Sequence, residues 1–189
     1  MIKNIMFRKM FRKDKEREKE VIVLDYLPRG YPGMKRIEPI IQGVGTKKYT
    51  LLELTGTKPV KIKEIINLDD KSFRIRRRLS ANQLTNFARN NLKEVIEELV
   101  EKNEEDIIKV INSAGKITIR MHQLELLPGV GKKNIQLLLQ ERSKKPFESF
   151  QDINNRVSAI PDIKKVIAKR ILIELEKGKA EKYHLFTTP

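Results

Sequence analysis

The pattern with the clearest chemical meaning is Leu-Leu-Pro-Gly-Val-Gly-Lys-Lys at residues 126–133. Pro128 ends a helical pattern, and Gly129 and Gly131 allow a tight turn and a close approach of a ligand to the backbone. A new helical pattern starts directly after the turn, so free N–H groups and the positive end of a helix dipole lie beside two lysines. This corner is predicted to bind an anion, and a nucleic-acid phosphate fits it best. The predicted contacts are Pro128, Gly129, Val130, Gly131, Lys132, Lys133 and the nearby Arg120.

Four arginines fall on the last of five short strands that residues 21–80 predict. Phe73, Ile75 and Leu79 are expected on the buried face of that strand, which gathers arginines on the other face. A basic turn between two earlier strands would lie nearby if those strands pair. These cations favour phosphate contact, although a charged edge strand that only prevents aggregation is the alternative. The residues are Arg74, Arg76, Arg77, Arg78, Lys47 and Lys48.

After the first turn, the same pattern of apolar segment, turn and apolar segment occurs again. This second occurrence predicts an internal repeat. The second turn has Ile160, Pro161 and Asp162 where glycines would be expected. Proline has no N–H to donate, and the aspartate places a negative charge where a phosphate would lie. We therefore expect this copy to have mainly a structural role, with Lys164 and Lys165 as flanking phosphate contacts.

The elements that must position these residues form two predicted domains. Five short strands separated by turn-rich segments predict a small barrel, of which the OB-fold is the best-known nucleic-acid binder. The next segment has apolar residues at helical spacing. From Thr118 onward we expect a helix that leads into the first turn. Ser149 is expected to cap a short connector helix further along the chain. The predicted fold class is α+β multidomain, with a small OB-like β-barrel followed by an all-α tandem helix-hairpin-helix domain. The predicted parts are a basic arm (1–20), the barrel (21–80), a helical linker (81–115), the tandem helix-hairpin-helix domain (116–178) and a mobile C-terminal tail (179–189).

Composition limits the classes of function. The 189 residues carry a net charge of +15, which favours an acidic polymer as the partner. The absence of cysteine excludes disulfides, thiolate metal sites and cysteine nucleophiles. No apolar run is long enough for a membrane helix and no signal-peptide core is present, so we expect a cytoplasmic protein with no membrane partner. His122 and His184 are too far apart in sequence to suggest a metal pair, and we predict no metal or cofactor.

The Leu-Pro-Gly-Val-Gly-x-Lys run also occurs in base-excision glycosylases of the helix-hairpin-helix class. Lys133 occupies the lysine position of that pattern, but the expected aspartate position falls on Gln151, with Asp152 one residue late. The chain also lacks the cysteines of that family's cluster and a larger helical domain that would enclose a flipped base. We therefore predict that the protein is not an enzyme.

Several separate motifs occur in a recognisable order. They include Val-Ile-Val-Leu-Asp-Tyr-Leu-Pro-x-Gly at residues 21–30, Tyr-Thr-Leu-Leu-Glu-Leu at 49–54 and Met-His-x-Leu-Glu-Leu-Leu-Pro-Gly-x-Gly-Lys-Lys at 121–133, with shorter matches at 77–80, 95–100 and 146–153. In these motifs the chain resembles an archaeal family of uncharacterised proteins described as RNA-binding. The resemblance implies an OB-like barrel joined to a helix-hairpin-helix domain, a link to translation or ribosomal RNA, and no known catalysis. The basic arm lies outside the shared pattern.

Together these features predict a non-enzymatic RNA-binding protein of the archaeal cytoplasm that contacts backbone phosphates of ribosomal RNA or the ribosome. One alternative is a duplex-DNA-binding factor in repair or transcription. Another is a protein-interaction scaffold whose contact surface would be the acidic helix at residues 92–106.

Overall fold

Five strands form one curled antiparallel sheet in the computed structural model, which describes residues 17–188. The sheet order is β4-β1-β2-β3-β5, and within the described residues β4 and β5 do not pair with each other. The sheet is therefore a half-barrel, and a closed OB-like barrel stays a prediction. The strands are β1 (Glu20–Leu27), β2 (Ile40–Gly45), β3 (Leu51–Gly56), β4 (Ile65–Asn67) and β5 (Phe73–Arg78).

Both faces of the sheet are apolar, which explains why consecutive residues of β1 are all buried. Ile22 and Leu24 face the helices, whereas Val21 and Val23 belong to a smaller cluster on the opposite face. Successive side chains of a strand point to opposite faces, so a strand buried on both faces is an unbroken apolar run. The half-barrel thus contains its own small core and also packs against the helical part of the protein.

The helix that follows the sheet is the centre of the larger core. It packs against β1 on one side and against the last long helix on the other. Its predicted apolar stripe is confirmed, since Leu92, Val95, Ile96, Leu99 and Val100 are all buried. The segment predicted to be a linker therefore joins the sheet and the later helices through one continuous cluster of buried residues. The helices are α1 (Asn86–Lys102), α2 (Glu104–Ser113), α3 (Lys132–Lys144), α4 (Phe150–Arg156) and α5 (Ile163–Lys177).

The element leading into the 126–133 turn differs from the prediction. An α-helix beginning at Thr118 was expected, but the chain forms a hairpin of β6 (Lys116–Thr118) and β7 (Met121–His122), and then a 3₁₀ turn at Gln123–Leu126. The helix prediction was wrong because the side chain and backbone of Gln123 bond to the N–H and carbonyl of Gly115, which closes a hairpin.

The last described residues fold back onto α5, where a mobile tail was expected. Glu174 is completely buried, and its carboxylate accepts hydrogen bonds from Arg170 and from the backbone N–H groups of Leu185, Phe186 and Thr187. The hydroxyl of Thr187 adds a further bond at 2.9 Å. Several donors around one carboxylate compensate for its removal from water. This buried carboxylate fixes the C-terminal segment to α5.

Replacing Glu174 with Gln should destabilise the protein strongly. An amide offers only one acceptor oxygen and turns an NH₂ group towards donors, so we expect a loss of about 3 kcal/mol in the free energy of unfolding. Urea denaturation at neutral pH measures it. The control is Glu176→Gln, because Glu176 is exposed on the same helix. Equal stability of the two variants would contradict the anchoring role.

Candidate nucleic-acid interface

The 126–133 turn is tight and is anchored by two buried apolar residues. Leu127 and Val130 are at most 9% exposed, and the N–H of Val130 bonds to the carbonyl of Leu127 at 3.4 Å. Between them Gly129 has a φ of +78°, a conformation that side chains rarely adopt. Helix α3 begins three residues later at Lys132, with Gly131 as its N-cap. The predicted turn and the helix start that follows it are therefore confirmed.

A second turn lies between α4 and α5, and it lacks the positive φ of Gly129. Val157 and Ile160 are buried, and the N–H of Ile160 bonds to the carbonyl of Val157 at 3.0 Å. The first turn of helix α3 contacts this second turn, because the side-chain amide of Asn134 donates to the carbonyl of Ala159 at 3.0 Å. Each of the two turns is thus closed by a backbone hydrogen bond between residues three apart, and Ser149 caps α4 as predicted.

The N-terminal end of α3 differs from the ends of the other α-helices that the structure describes. Thr85, Ser149 and Asp162 accept bonds from backbone N–H groups at the starts of α1, α4 and α5. The first turn of α2 contains three acidic residues. Helix α3 has neither a side-chain cap nor an acidic residue in its first turn, so no cap or first-turn carboxylate among the described residues compensates its positive end.

The two glycines of the turn have different roles. The positive φ of Gly129 requires glycine for the fold itself. Gly131 has an ordinary φ of −68°, and a Cβ added there would meet nothing within 4 Å. Packing inside the protein therefore gives no reason for glycine at position 131. Close approach of another molecule to the backbone would give one.

A shallow cleft of about 190 Å³ lies beside this helix end. Arg120 and Lys132 bring positive charge to it, and the described residues contain no acidic partner in an ion pair with Lys132 or Lys133. The cleft suits a small anion or a segment of a phosphate backbone. Its lining is completed by His122, Glu125, Ile135, Gln136 and Leu139.

His122 has a structural role at the base of the hairpin. Its Nδ1 accepts the N–H of Leu124 at 3.1 Å, while Glu125 accepts the N–H of His122 at 2.7 Å. Burial lowers the pKa of His122, and the positive charges of Arg142 and Lys116 add to this effect. An imidazole that accepts through Nδ1 must be neutral at that nitrogen. His122 therefore caps the 3₁₀ turn and does not supply charge to a phosphate.

Two of the predicted lysine contacts have acidic partners within the chain. The Nζ of Lys164 lies 2.7 Å from Glu101 of α1, and the Nζ of Lys47 lies 2.9 Å from Asp106 of α2. The backbone N–H groups of Lys47 and Lys48 bond to Glu18, which closes the β2–β3 turn. Lys165 is exposed. Lys47 and Lys164 are therefore paired with carboxylates of the chain itself.

A row of polar side chains crosses the sheet beneath the start of α1, and it explains the arrangement of the arginines. Asp25, Gln42, Glu53 and Arg77 are register neighbours on β1, β2, β3 and β5. The completely buried Gln42 donates to the carbonyl of Gln83 and accepts the N–H of Thr85. The row therefore joins the sheet to the N-terminal end of α1.

The expected separation of arginines and apolar residues on β5 holds only in part. Ile75 is opposite Leu54 and Arg77 is opposite Glu53, so Arg76 is an extra residue that interrupts the alternation. Ile75 was predicted to be buried and is 47% exposed, so that prediction was wrong. The bulge directs Arg77 towards Glu53, with nitrogen–oxygen distances of 3.1 and 3.0 Å.

Glu53 neutralises much of the predicted arginine row. Its carboxylate also accepts the hydroxyl of Tyr31 at 2.7 Å, and Arg76 pairs with both Glu53 and Glu38. Burial alone would raise the pKa of Glu53, but the hydrogen bonds from Arg77 and Tyr31 outweigh it and lower the pKa. Arg76 and Arg77 are thus held by carboxylates of the chain. The highly exposed Arg74 has only a long contact to Glu38, and Arg78 has no ion pair within residues 17–188.

The stability of the protein should therefore fall in acid in a way that depends on Glu53. The pKa of Glu53 is lower in the folded state than in the unfolded chain. Its contribution to the free energy of unfolding is therefore complete above the unfolded pKa and disappears as pH falls through the folded pKa. Glu53→Gln should lose about 2 kcal/mol at pH 7 and progressively less below pH 5. Urea denaturation across this pH range tests it. The exposed Glu97→Gln is the control, and a pH-independent deficit in Glu53→Gln would contradict the expectation.

Residues 17–188 contain no group of three or more histidines, aspartates and glutamates placed to hold a metal ion. Among the same residues, no helix is both long enough and apolar enough to span a membrane.

Comparison with known proteins places the chain in a family. A family model described as "Protein of unknown function (DUF655)" matches residues 17–188. The uncharacterised protein MJ0038 of Methanocaldococcus jannaschii is 40% identical over 170 residues, which cover 87% of this chain and 77% of that protein. The crystal structure of Af1531 from Archaeoglobus fulgidus is similar with a TM-score of 0.80 and 40% identity, covering 90% of this chain and 100% of that chain. These relatives are archaeal. The chain therefore belongs to the DUF655 family.

Proposed function

We propose that the protein is a non-enzymatic RNA-binding protein of the cytoplasm that holds backbone phosphates of ribosomal RNA or of the ribosome. The observation that carries the proposal is the uncapped N-terminal end of α3, which follows a tight glycine turn and bears two lysines without acidic partners among residues 17–188. Free N–H groups, a helix dipole and two ammonium groups at one point form an anion site. An RNA backbone supplies anions of matching size and charge.

The two turns form an asymmetric clamp in this proposal. In the first turn, the N–H of Val130 already bonds to the carbonyl of Leu127, so the N–H groups of Gly131, Lys132 and Lys133 at the start of α3 are the ones that would donate to phosphate oxygens. In the second turn, the side chain of Asp162 already accepts the N–H of Lys164, and Pro161 has no N–H. The second turn therefore supports the first mechanically, and we interpret the pair as a tandem helix-hairpin-helix whose first copy has a hairpin and a 3₁₀ turn in place of its entering helix.

The half-barrel supplies a secondary contact. We interpret the curled sheet as OB-like, with the exposed Arg74 and Arg78 of its edge strand β5 available to a second RNA segment. Arg76 and Arg77 hold the sheet together through Glu53 and contribute less to binding. The main contact is then the first turn, and the arginines extend the surface that the RNA covers.

The acidic surface of α1 argues against the scaffold alternative. Lys63 bonds to both Glu94 and Glu98 at 2.7 and 2.8 Å, and Lys164 bonds to Glu101. These carboxylates are already paired within the chain, so a protein partner would have to displace internal ion pairs. Duplex DNA is the stronger competitor, because a turn that contacts only phosphates does not by itself distinguish the two nucleic acids.

Replacing Gly131 with Ser should separate stability from binding. Serine is a better N-cap than glycine and the site is open, so the free energy of unfolding should rise by about 0.3 kcal/mol. The new hydroxyl would accept the N–H of Lys133 or Asn134 and compete there with the phosphate, and RNA affinity should fall about fivefold for the loss of one such contact. Thermal denaturation and fluorescence anisotropy with a structured ribosomal RNA fragment measure the two effects.

The matched control for this variant is Gly115→Ser. A Cβ added at Gly115 also meets nothing within 4 Å, and Gly115 lies before the hairpin, outside the turn. Its RNA affinity should equal that of the wild type. Unchanged RNA binding by Gly131→Ser would overturn the role of this turn and favour the scaffold alternative.

Binding should weaken steeply with salt, and the two lysines of the turn should account for part of that dependence. Each phosphate neutralised by a lysine contributes to the slope of log Kd against log salt concentration, so Lys132→Ala with Lys133→Ala should reduce the slope by about 1.5. The control is Lys109→Ala, since Lys109 pairs with Glu105 on α2. A slope that does not change in the double variant would contradict phosphate contact here, and competition with duplex DNA of equal length decides between the nucleic acids.

A further inference from the structure

The tip of the β6–β7 hairpin carries an isoleucine that has no role in the fold. Ile119 is 97% exposed, so it contributes almost no burial to the folded state. With Arg120 it forms the two-residue connection between Thr118 and Met121, where Gly, Asn or Asp are favoured. Neither packing nor turn preference accounts for an isoleucine at this position.

The hairpin tip adjoins the proposed phosphate site. Arg120, the other residue of the connection, lines the same cleft as Lys132 at the start of α3. At the base of the hairpin, His122 and Glu125 fix the 3₁₀ turn that leads into Leu127. The tip is therefore held in a defined position relative to the turn, with one apolar side chain next to a pair of cations.

We infer that Ile119 contacts the ribose edge of the minor groove of an A-form RNA duplex whose backbone phosphates are held by Arg120 and the 126–133 turn. The inference rests on the proposed function and narrows its partner to double-stranded RNA. The ribose rings and base edges in the groove offer apolar surface to an aliphatic side chain, while the flanking phosphates match the flanking cations.

The shapes of the two kinds of duplex favour RNA at this point. The minor groove of A-form RNA is wide and shallow, so a hairpin tip reaches the sugars without deforming the duplex. The minor groove of B-form DNA is about 6 Å wide, and apolar side chains enter it only by unstacking and kinking the base pairs. Ile119 should therefore add affinity for an RNA duplex and little for a DNA duplex.

The test measures the full chain with an RNA duplex and a DNA duplex of the same sequence and length, by fluorescence anisotropy at one salt concentration. Ile119→Ala should weaken RNA-duplex binding about tenfold, as expected for the loss of one buried aliphatic side chain, and should change DNA-duplex binding less than about twofold. No charge is removed, so the salt dependence should stay the same. Because Ile119 is exposed, the thermal stability of the variant should equal that of the wild type.

Two further variants make the outcomes distinguishable. Ile65→Ala removes a half-exposed isoleucine from the edge strand β4 and should bind both duplexes like the wild type. The double variant Lys132→Ala with Lys133→Ala reports on the phosphate site alone. The minor-groove contact is wrong, and the proposed function stands, if the double variant binds weakly while Ile119→Ala binds RNA normally. The same conclusion follows if Ile119→Ala loses RNA and DNA affinity equally. If the wild type binds neither duplex and no structured RNA, both proposals fail.

Discussion

The rest of the structure depends on the burial of α1 between the sheet and α5. Residues such as Val95, Ile96 and Val100 are inaccessible to water, and each fully buried aliphatic side chain stabilises the fold by about 1.5–3 kcal/mol. Because the apolar stripe faces inward, the acidic side of α1 must face outward, where Lys63 and Lys164 pair with it. The same helix receives the polar row of the sheet at its N-terminal end. The two turns therefore have a fixed position relative to the half-barrel.

The features that sequence could predict are those with a short repeat or a local signal. The stripe of α1 has the helical period, the cap at Ser149 lies next to the helix that it starts, and the glycine turn combines a proline, a positive φ and a helix start within eight residues. Each depends on contacts between residues close in sequence. For this reason the turn, which is the main candidate site, was located from the sequence, and so was the weakened form of its second copy.

Other features depend on contacts that no local pattern contains. The apolar residues of the segment 116–127 fit a helix about as well as a hairpin, and only the pairing of Gly115 with Gln123 decides between them. Strand alternation assumes unbroken pairing, so the extra residue at Arg76 could not be foreseen. In the sequence Glu174 looks like a surface residue of a helix. Its burial could not be predicted, because the backbone donors that surround it come from a segment eleven and more residues later. Contacts of this kind decide which of the predicted cations are free of internal ion pairs and can bind an anion.

Internal ion pairs change what the net charge implies about anion binding. A charge of +15 attracts any polyanion, but it does not define a site. Arg77 and Lys164 are among the cations whose charge is largely compensated by nearby carboxylates, so an anion would gain little from them before those pairs separate. At the start of α3, the positive helix end, Lys132 and Lys133 have no such compensation in the described chain. A phosphate bound there would gain interactions without breaking an ion pair, which is why we propose this turn, and not the most arginine-rich strand, as the main contact.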